Sequence, residues 1–245
     1  MFYTILPKWP FIKPRFKRIA RFAPLIGLFI GLIQSLTWFL LRFLGWPYIS
    51  ASLVSLIITI CITGGLHVDG LMDTADGVGA GESQRYKAMK DSRVGAMGVQ
   101  TFLIVLIIQL AAIIKLGLYA PFAFPVIAFW GRFAQIIAIG NYKYIGVKGS
   151  DSFHQKYWTG TLNEIKPSLI ILGALIILFV TLTDLNISNI LLLIYCLFSG
   201  LLTSISIPYI INKLIEGHSG DTYGATILTA ETTNLLLISF IFGPK

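Results

Sequence analysis

Seven long apolar runs divide the chain, at roughly 22–43, 48–66, 99–118, 121–139, 168–183, 187–211 and 223–242. Each is close to the about 20 mostly apolar residues that cross a bilayer as a helix. The pattern therefore predicts an all-α, polytopic integral membrane protein with about seven transmembrane helices. The fourth run is unusual, because Pro121 and Pro125 open it and Arg132 lies inside it. A kinked or tilted helix accommodates the prolines, and an intramembrane arginine normally faces a partner or a wet cavity.

The polar segments between the runs are unequal. Three are long, at 67–98, 140–167 and 212–222, and the others, such as Gly45-Trp46-Pro47 and Asp184-Leu185-Asn186, are short. Alternate segments fall on opposite sides of the membrane. One side receives Lys8, Lys13, Arg15, Lys17, Arg18 and Arg21, then Arg85, Lys87, Lys90 and Arg93, then Lys143, Lys148, Lys156 and Lys166, and finally Lys213. The other receives Arg42, Lys115 and Lys245. Basic residues favour the cytoplasmic side, so the expected topology has a cytoplasmic N-terminus and all three long loops in the cytoplasm. The expected organisation is one transmembrane domain, 1–245, whose chemistry lies on the cytoplasmic face of the cell membrane.

Composition agrees. The hydrophobic fraction is 56%, the charged fraction 12% and the mean hydropathy +0.79, against about 25% charged residues in soluble domains. A net charge of +8 without a polar, aromatic-bearing domain argues for a basic membrane surface and against nucleic acid. Cys61 and Cys196 each sit in an apolar run, without metal or disulfide spacing. The apolar run after the basic N-terminus is too long for a signal peptide and reads as a retained first helix.

The candidate chemistry begins at TGGLHVDGLMDTADGVGAG, residues 63–81, which holds Asp69, Asp73 and Asp76. On one helix these spacings place the three carboxylates within an arc of about 60° and a rise of about 10 Å. Like charges so close raise one another's pKa unless a cation neutralises them. Magnesium, which takes carboxylates and keeps positions for water and phosphate, suits the set, and two such ions could share it. Five of the eleven acids fall in this one loop, which disfavours a merely solvated helix end.

Gly77, Gly79 and Gly81 then interrupt the helix, and MKDSRVGAMG, residues 89–98, follows. On a straight helix Asp91 would stand about 22 Å from Asp76, so a glycine turn is needed to bring it to the cluster. Asp91 is then a candidate base, with Lys90 and Arg93 as phosphate-binding cations. His67 is a competing base, or an interfacial hydrogen-bonding residue. A third block, EGHSGDTYGA at residues 216–225, offers His218, Asp221 and Thr222 to a phosphate or nucleotide, or simply caps the last helix. The middle loop, with Asn141, Tyr142, Lys143, His154, Lys156, Tyr157 and Trp158, adds cations and aromatic surface but no tight motif.

GGLHVDGLMDTADG, MKDSRVGAMG and GDTYGA, in that order, resemble the cobalamin synthase family, membrane adenosylcobinamide-GDP ribazoletransferases. The blocks cover about a fifth of the chain, and the apolar pattern between them fits as well. Val68 departs from the family pattern, where an acidic residue often precedes Asp69. The resemblance implies attack by a ribose hydroxyl of alpha-ribazole, or of its 5'-phosphate, on the cobinamide-linked phosphate of adenosylcobinamide-GDP, with GMP leaving. It implies Mg2+ on Asp69, Asp73 and Asp76, Asp91 or His67 at the attacking hydroxyl, and Lys90, Arg93, His218, Asp221 and Thr222 at the substrate. Homo-oligomerisation is left open. Two other readings compete: a CDP-alcohol phosphotransferase, whose further aspartates in one helical series are missing after Asp76, and a divalent-cation or phosphate transporter, which would place its acids near the bilayer midplane.

Overall fold

Glycines decide where the helices turn. In the computed structural model, which describes residues 17–146, 157–182 and 187–242, α1 (Ala23–Phe43) and α2 (Tyr48–Thr63) form an apolar hairpin, and α2 stops at Gly64 and Gly65. Both glycines have positive φ, 62° and 75°, a conformation glycine adopts without a Cβ penalty. The Gly65 N–H closes back on the Ile60 carbonyl at 3.0 Å, a common helix stop. The chain bends by 84° into α3 (Leu66–Gly79). A short α4 (Arg85–Ala88) leads to α5 (Ala96–Leu116), and the 3-10 turn Gly117–Tyr119 joins it to α6 (Ala120–Asn141). Then come α7 (Thr161–Leu182), α8 (Ile187–Ile215) and α9 (Gly220–Ile241). Lys8, Lys13, Arg15, Lys148, His154, Lys156, Asp184 and Lys245, which entered the sequence argument, lie outside the described residues.

The all-α, multi-pass expectation holds. Five stretches among the described residues are long and apolar enough to cross a membrane, and six if the bent α2–α3 pair is one span. The expected seven differ from this by dividing the 46-residue stretch Ala96–Asn141, which holds two of the apolar runs and is broken at Gly117–Tyr119. Charge is costly within a bilayer, and α3 carries three aspartates in its 14 residues. We therefore read α2 as the crossing part of its pair, with α3 at its end.

The helix α6 is the centre, with α1, α8 and α9 packed round it, and every residue from 127 to 139 is buried. A helix apolar on all sides belongs inside. On α1, Gly27 and Gly31 let the backbone close onto Ala128 and Pro125 of α6, the small-residue contact that helices in lipid use. Pro125 has no N–H, so the Pro121 carbonyl one turn earlier loses its helical donor. The Ser35 hydroxyl supplies it from α1 at 2.6 Å. Arg132 finds its partner in Glu231 of α9 at 2.6 Å, both side chains buried. Outward, α1, α5 and α8 expose Leu36, Phe39, Ile104, Ile107, Phe198 and Ile205, an apolar surface suited to lipid.

Candidate active site

The three sequence blocks meet where α3 runs along the start of α9. Gly70 makes this approach possible: a Cβ there would collide with the backbone carbonyl of Asp221. Asp69 adjoins Gly70 and Asp73 follows one turn later, so Asp221 joins them from a helix about 150 residues further along the chain. The second block enters through Lys90, whose ammonium donates to Asp221 Oδ2 at 2.9 Å. The short α4 that carries Lys90 into place is itself anchored on the corner between α8 and α9. Tyr86 donates its hydroxyl to the Ile215 carbonyl at 3.3 Å, and Arg85 lies 3.7 Å from Glu216.

Electrostatics show the consequence of this convergence. Partial burial, and then the negative charges of Asp69 and Asp221, push the Asp73 carboxyl up to about 6, while Lys90 pulls it back. Asp69, Asp73, Asp221 and, more weakly, Asp76 thus lie in one field with the Lys90 ammonium close by. Among the described residues no three His, Cys, Asp or Glu side chains already stand at ligand spacing. The donor set nevertheless suits a hard cation in kind, since carboxylate oxygens are what magnesium takes, and the raised Asp73 value registers negative charge that a cation would relieve.

Asp76 goes elsewhere. One of its oxygens accepts the Gly95 N–H at 2.8 Å and the other the Gly98 N–H at 2.7 Å. The first turn of α5 has unsatisfied N–H groups and a partial positive charge of about +0.5, and a carboxylate from the neighbouring helix satisfies both. Asp76, expected as a third metal ligand, is seen here as a cap, its oxygens engaged by backbone, and Asp221 stands beside Asp69 and Asp73. Gly95 and Gly98 let the carboxylate in, since a Cβ on Gly98 would stand 2.7 Å from Asp76 Oδ2.

Asp91 is also diverted. Its carboxylate is clasped by Arg93, through Nη2 at 2.7 Å, Nε at 3.0 Å and the backbone N–H at 3.0 Å. These hydrogen bonds hold it down to about 2, which makes it a poor proton acceptor. Asp91, expected as a base, is seen here paired with Arg93, and the cation that reaches Asp221 is Lys90. His67, the competing base, is buried in α3 with its backbone against Gly224 of α9.

In the third block Asp221 alone is turned toward the cluster. His218 and Thr222, expected at the substrate, are fully buried. His218 Nε2 lies 3.1 Å from the Pro208 carbonyl and Nδ1 3.1 Å from the Thr222 hydroxyl, and burial draws the ring down to about 4. Thr222 and Ser219 form a reciprocal capping box at the start of α9. The same strand of chain pairs with the middle loop, Ile145 N–H to the His218 carbonyl and His218 N–H to the Lys143 carbonyl, each 2.8 Å. These residues hold Asp221 in position.

The sequence places Asp221 with the substrate and assigns Glu231 no role. Glu231 was legible in one respect: it is the one acid inside any of the seven apolar runs, and Arg132 needed a partner.

A family profile described as cobalamin-5-phosphate synthase matches residues 1–239. An adenosylcobinamide-GDP ribazoletransferase of Prochlorococcus marinus strain SARG is 46% identical over 242 residues, covering 98% of this chain and 93% of that protein. Another, from strain MIT 9303, is 42% identical over 243 residues, with 98% and 93% covered. One of Trichormus variabilis is 34% identical over 244 residues, with 98% and 94% covered. No solved structure matches the chain. The chain belongs to the cobalamin-5-phosphate synthase family and is a multi-pass membrane transferase of cobalamin biosynthesis.

Proposed function

We propose that this family member transfers the adenosylcobinamide-phosphate group of adenosylcobinamide-GDP to a ribose hydroxyl of alpha-ribazole, or of its 5'-phosphate, releasing GMP at the cytoplasmic face of the cell membrane. The observation that supports this most is the meeting of the three blocks: Asp221 lies against Gly70 in the Asp69–Asp73 turn and is bound by Lys90. The relatives' names identify the same pair of substrates. The cytoplasmic assignment rests on the bias of the basic residues among the long loops.

Phosphoryl transfer depends on positioning and charge neutralisation more than on covalent help from the protein. Asp69, Asp73 and Asp221 are the residues that would hold Mg2+. When bound, Mg2+ supplies the positive charge that lets a diphosphate approach carboxylates and lets GMP depart. Lys90 provides a cation at the same place. Arg93, fixed by Asp91, presents its remaining N–H groups at the rim, and Asp91 thus positions a guanidinium and does not take a proton. The buried His218 and Thr222 keep the start of α9, and with it Asp221, at the correct height.

Membranes containing the chain, given adenosylcobinamide-GDP, alpha-ribazole and magnesium, should release GMP and form cobalamin in equal amounts. GMP without cobalamin would show a hydrolase, and the absence of both products would overturn the assignment.

A further inference from the structure

A cavity of about 260 Å³ lies among α1, α2, α5, α6 and α9, with Val68 of α3 in its wall. Its lining is apolar, Leu56, Val105 and Leu228 among it, but three buried polar side chains, Gln34, Gln109 and Glu231, stand in the same wall. Glu231 is engaged by Arg132, and Gln34 by the Ser55 carbonyl. Gln109 gives one amide N–H to the Thr232 hydroxyl at 2.8 Å. An amide has two such donors, so Gln109 has a second for an acceptor placed in the cavity. Ile60, Val68 and Phe102 also line an open hollow that reaches Asp69. The cavity is therefore continuous with the candidate active site.

We propose that this cavity receives the aromatic base of the acceptor nucleoside, whose ribose then stands at Asp69. This rests on the proposed transfer to a ribose hydroxyl of that nucleoside. Size chooses among the parts of the two substrates. Sites for drug-sized ligands are about 300–1,000 Å³, so about 260 Å³ takes one ring system and excludes a corrin macrocycle. Polarity chooses between the two nucleosides. Guanine carries a carbonyl, a ring N–H and an amino group along one edge, and burial against Leu56, Val105 and Leu228 leaves them without partners, which is costly. The benzimidazole of alpha-ribazole is mostly carbon, with one free ring nitrogen for Gln109 to meet. Its reach also fits: His67 packs on Gly224, and Glu231 lies seven residues further along α9, a rise of about 10 Å, comparable with a bicyclic base and its ribose. An acyl chain, the other occupant a bilayer offers, has no acceptor for Gln109.

The test uses the full chain in detergent, with steady-state kinetics in both substrates and equilibrium dialysis of alpha-ribazole alone. Val105→Phe fills the cavity, Gln109→Leu removes its donor, and Ile107→Phe adds the same ring on the exposed face of α5 as a control. Crowding an occupied cavity should raise KM and Kd for alpha-ribazole about tenfold or more in Val105→Phe, with KM for adenosylcobinamide-GDP unchanged. Gln109→Leu should raise the same two constants several-fold, and Ile107→Phe should raise neither. Gln109→Leu, close to the original in shape, carries the test if the larger side chain prevents folding. A rise in both KM values, or wild-type constants in Val105→Phe and Gln109→Leu, would overturn the subsite and leave the transfer reaction standing. Wild type that binds alpha-ribazole in the expected way yet forms no cobalamin would keep the subsite and overturn the reaction. Native mass spectrometry that finds a phospholipid held by wild type and lost from Val105→Phe, with alpha-ribazole binding unchanged, would assign the cavity to lipid and overturn the proposal.

Discussion

Replacing Asp76 by asparagine separates a helix cap from a metal ligand. Both carboxylate oxygens accept backbone N–H groups, from Gly95 and Gly98 at 2.8 and 2.7 Å. An amide can accept only one of these and turns its own N–H2 toward the other donor. Hydrogen bonds to charged groups are worth about 1.5–3 kcal/mol, and a charge at a helix N-terminus adds about 0.3–1 kcal/mol. The expected loss is about 2–3 kcal/mol, and at about 2–4 °C per kcal/mol for a chain of this size the midpoint should fall by about 4–12 °C. Thermal unfolding in detergent, read by tryptophan fluorescence, measures this. Mn2+ affinity per folded molecule should stay within a few-fold of wild type if, as proposed, the cation site is built from Asp69, Asp73 and Asp221. Asp73→Asn should behave in the opposite way, keeping stability and losing the metal. An Asp76→Asn protein as stable as wild type but unable to bind Mn2+ would refute the reasoning and return Asp76 to the ligand set.

Gly70→Ala places a methyl group against the Asp221 carbonyl, backbone against backbone, so α3 and α9 must separate. Turnover and Mn2+ affinity should both drop by more than tenfold, and wild-type values would show that the close approach is unnecessary. Because Asp73 titrates near 6, a proton competes with the metal there, so Mn2+ affinity should be flat above about pH 7 and fall as pH drops through 6. In metal-free protein the raised value has a second sign: the stability it confers is full below about pH 4, the ordinary carboxylate value, and is lost as pH rises through about 6. A flat affinity profile from pH 5 to 8 would remove Asp73 from the site. Glu231→Gln leaves Arg132 buried without its counter-charge and should cost about 3–5 kcal/mol. Changing both residues to leucine should recover most of that loss in a double-mutant cycle, and additive losses would contradict the pairing.

Much of this fold was readable because lipid imposes a simple rule, a run of apolar residues for each crossing. Among the described residues each of the seven apolar runs is mostly helical, and the Gly64-Gly65 bend appears where the apolar run gives way to HVDG. The candidate site was legible as a neighbourhood and less so as an arrangement. Asp69, Asp73 and Asp76 do share one helix, but spacing along α3 cannot show that the start of α5 offers Asp76 two unsatisfied N–H groups. Nor can it show that Arg93, two residues on, engages Asp91 more closely than any partner across the loop. Asp221 entered the cluster through a contact at Gly70 spanning about 150 residues, which periodicity does not encode. His218 and Thr222 look like ligand residues in a glycine-rich block, yet the capping box and the Pro208 carbonyl account for them.

The central claim is that the first and last blocks build one cation site. Mn2+ titration of Asp221→Asn, beside wild type and at matched folded fraction, tests it most directly. The account predicts binding weakened at least tenfold, with unfolding little changed, since the Asp221 side chain is partly exposed and the capping box at Ser219 and Thr222 is untouched. Wild-type Mn2+ affinity in Asp221→Asn would contradict it, leaving α3 to bind the metal without the last helix.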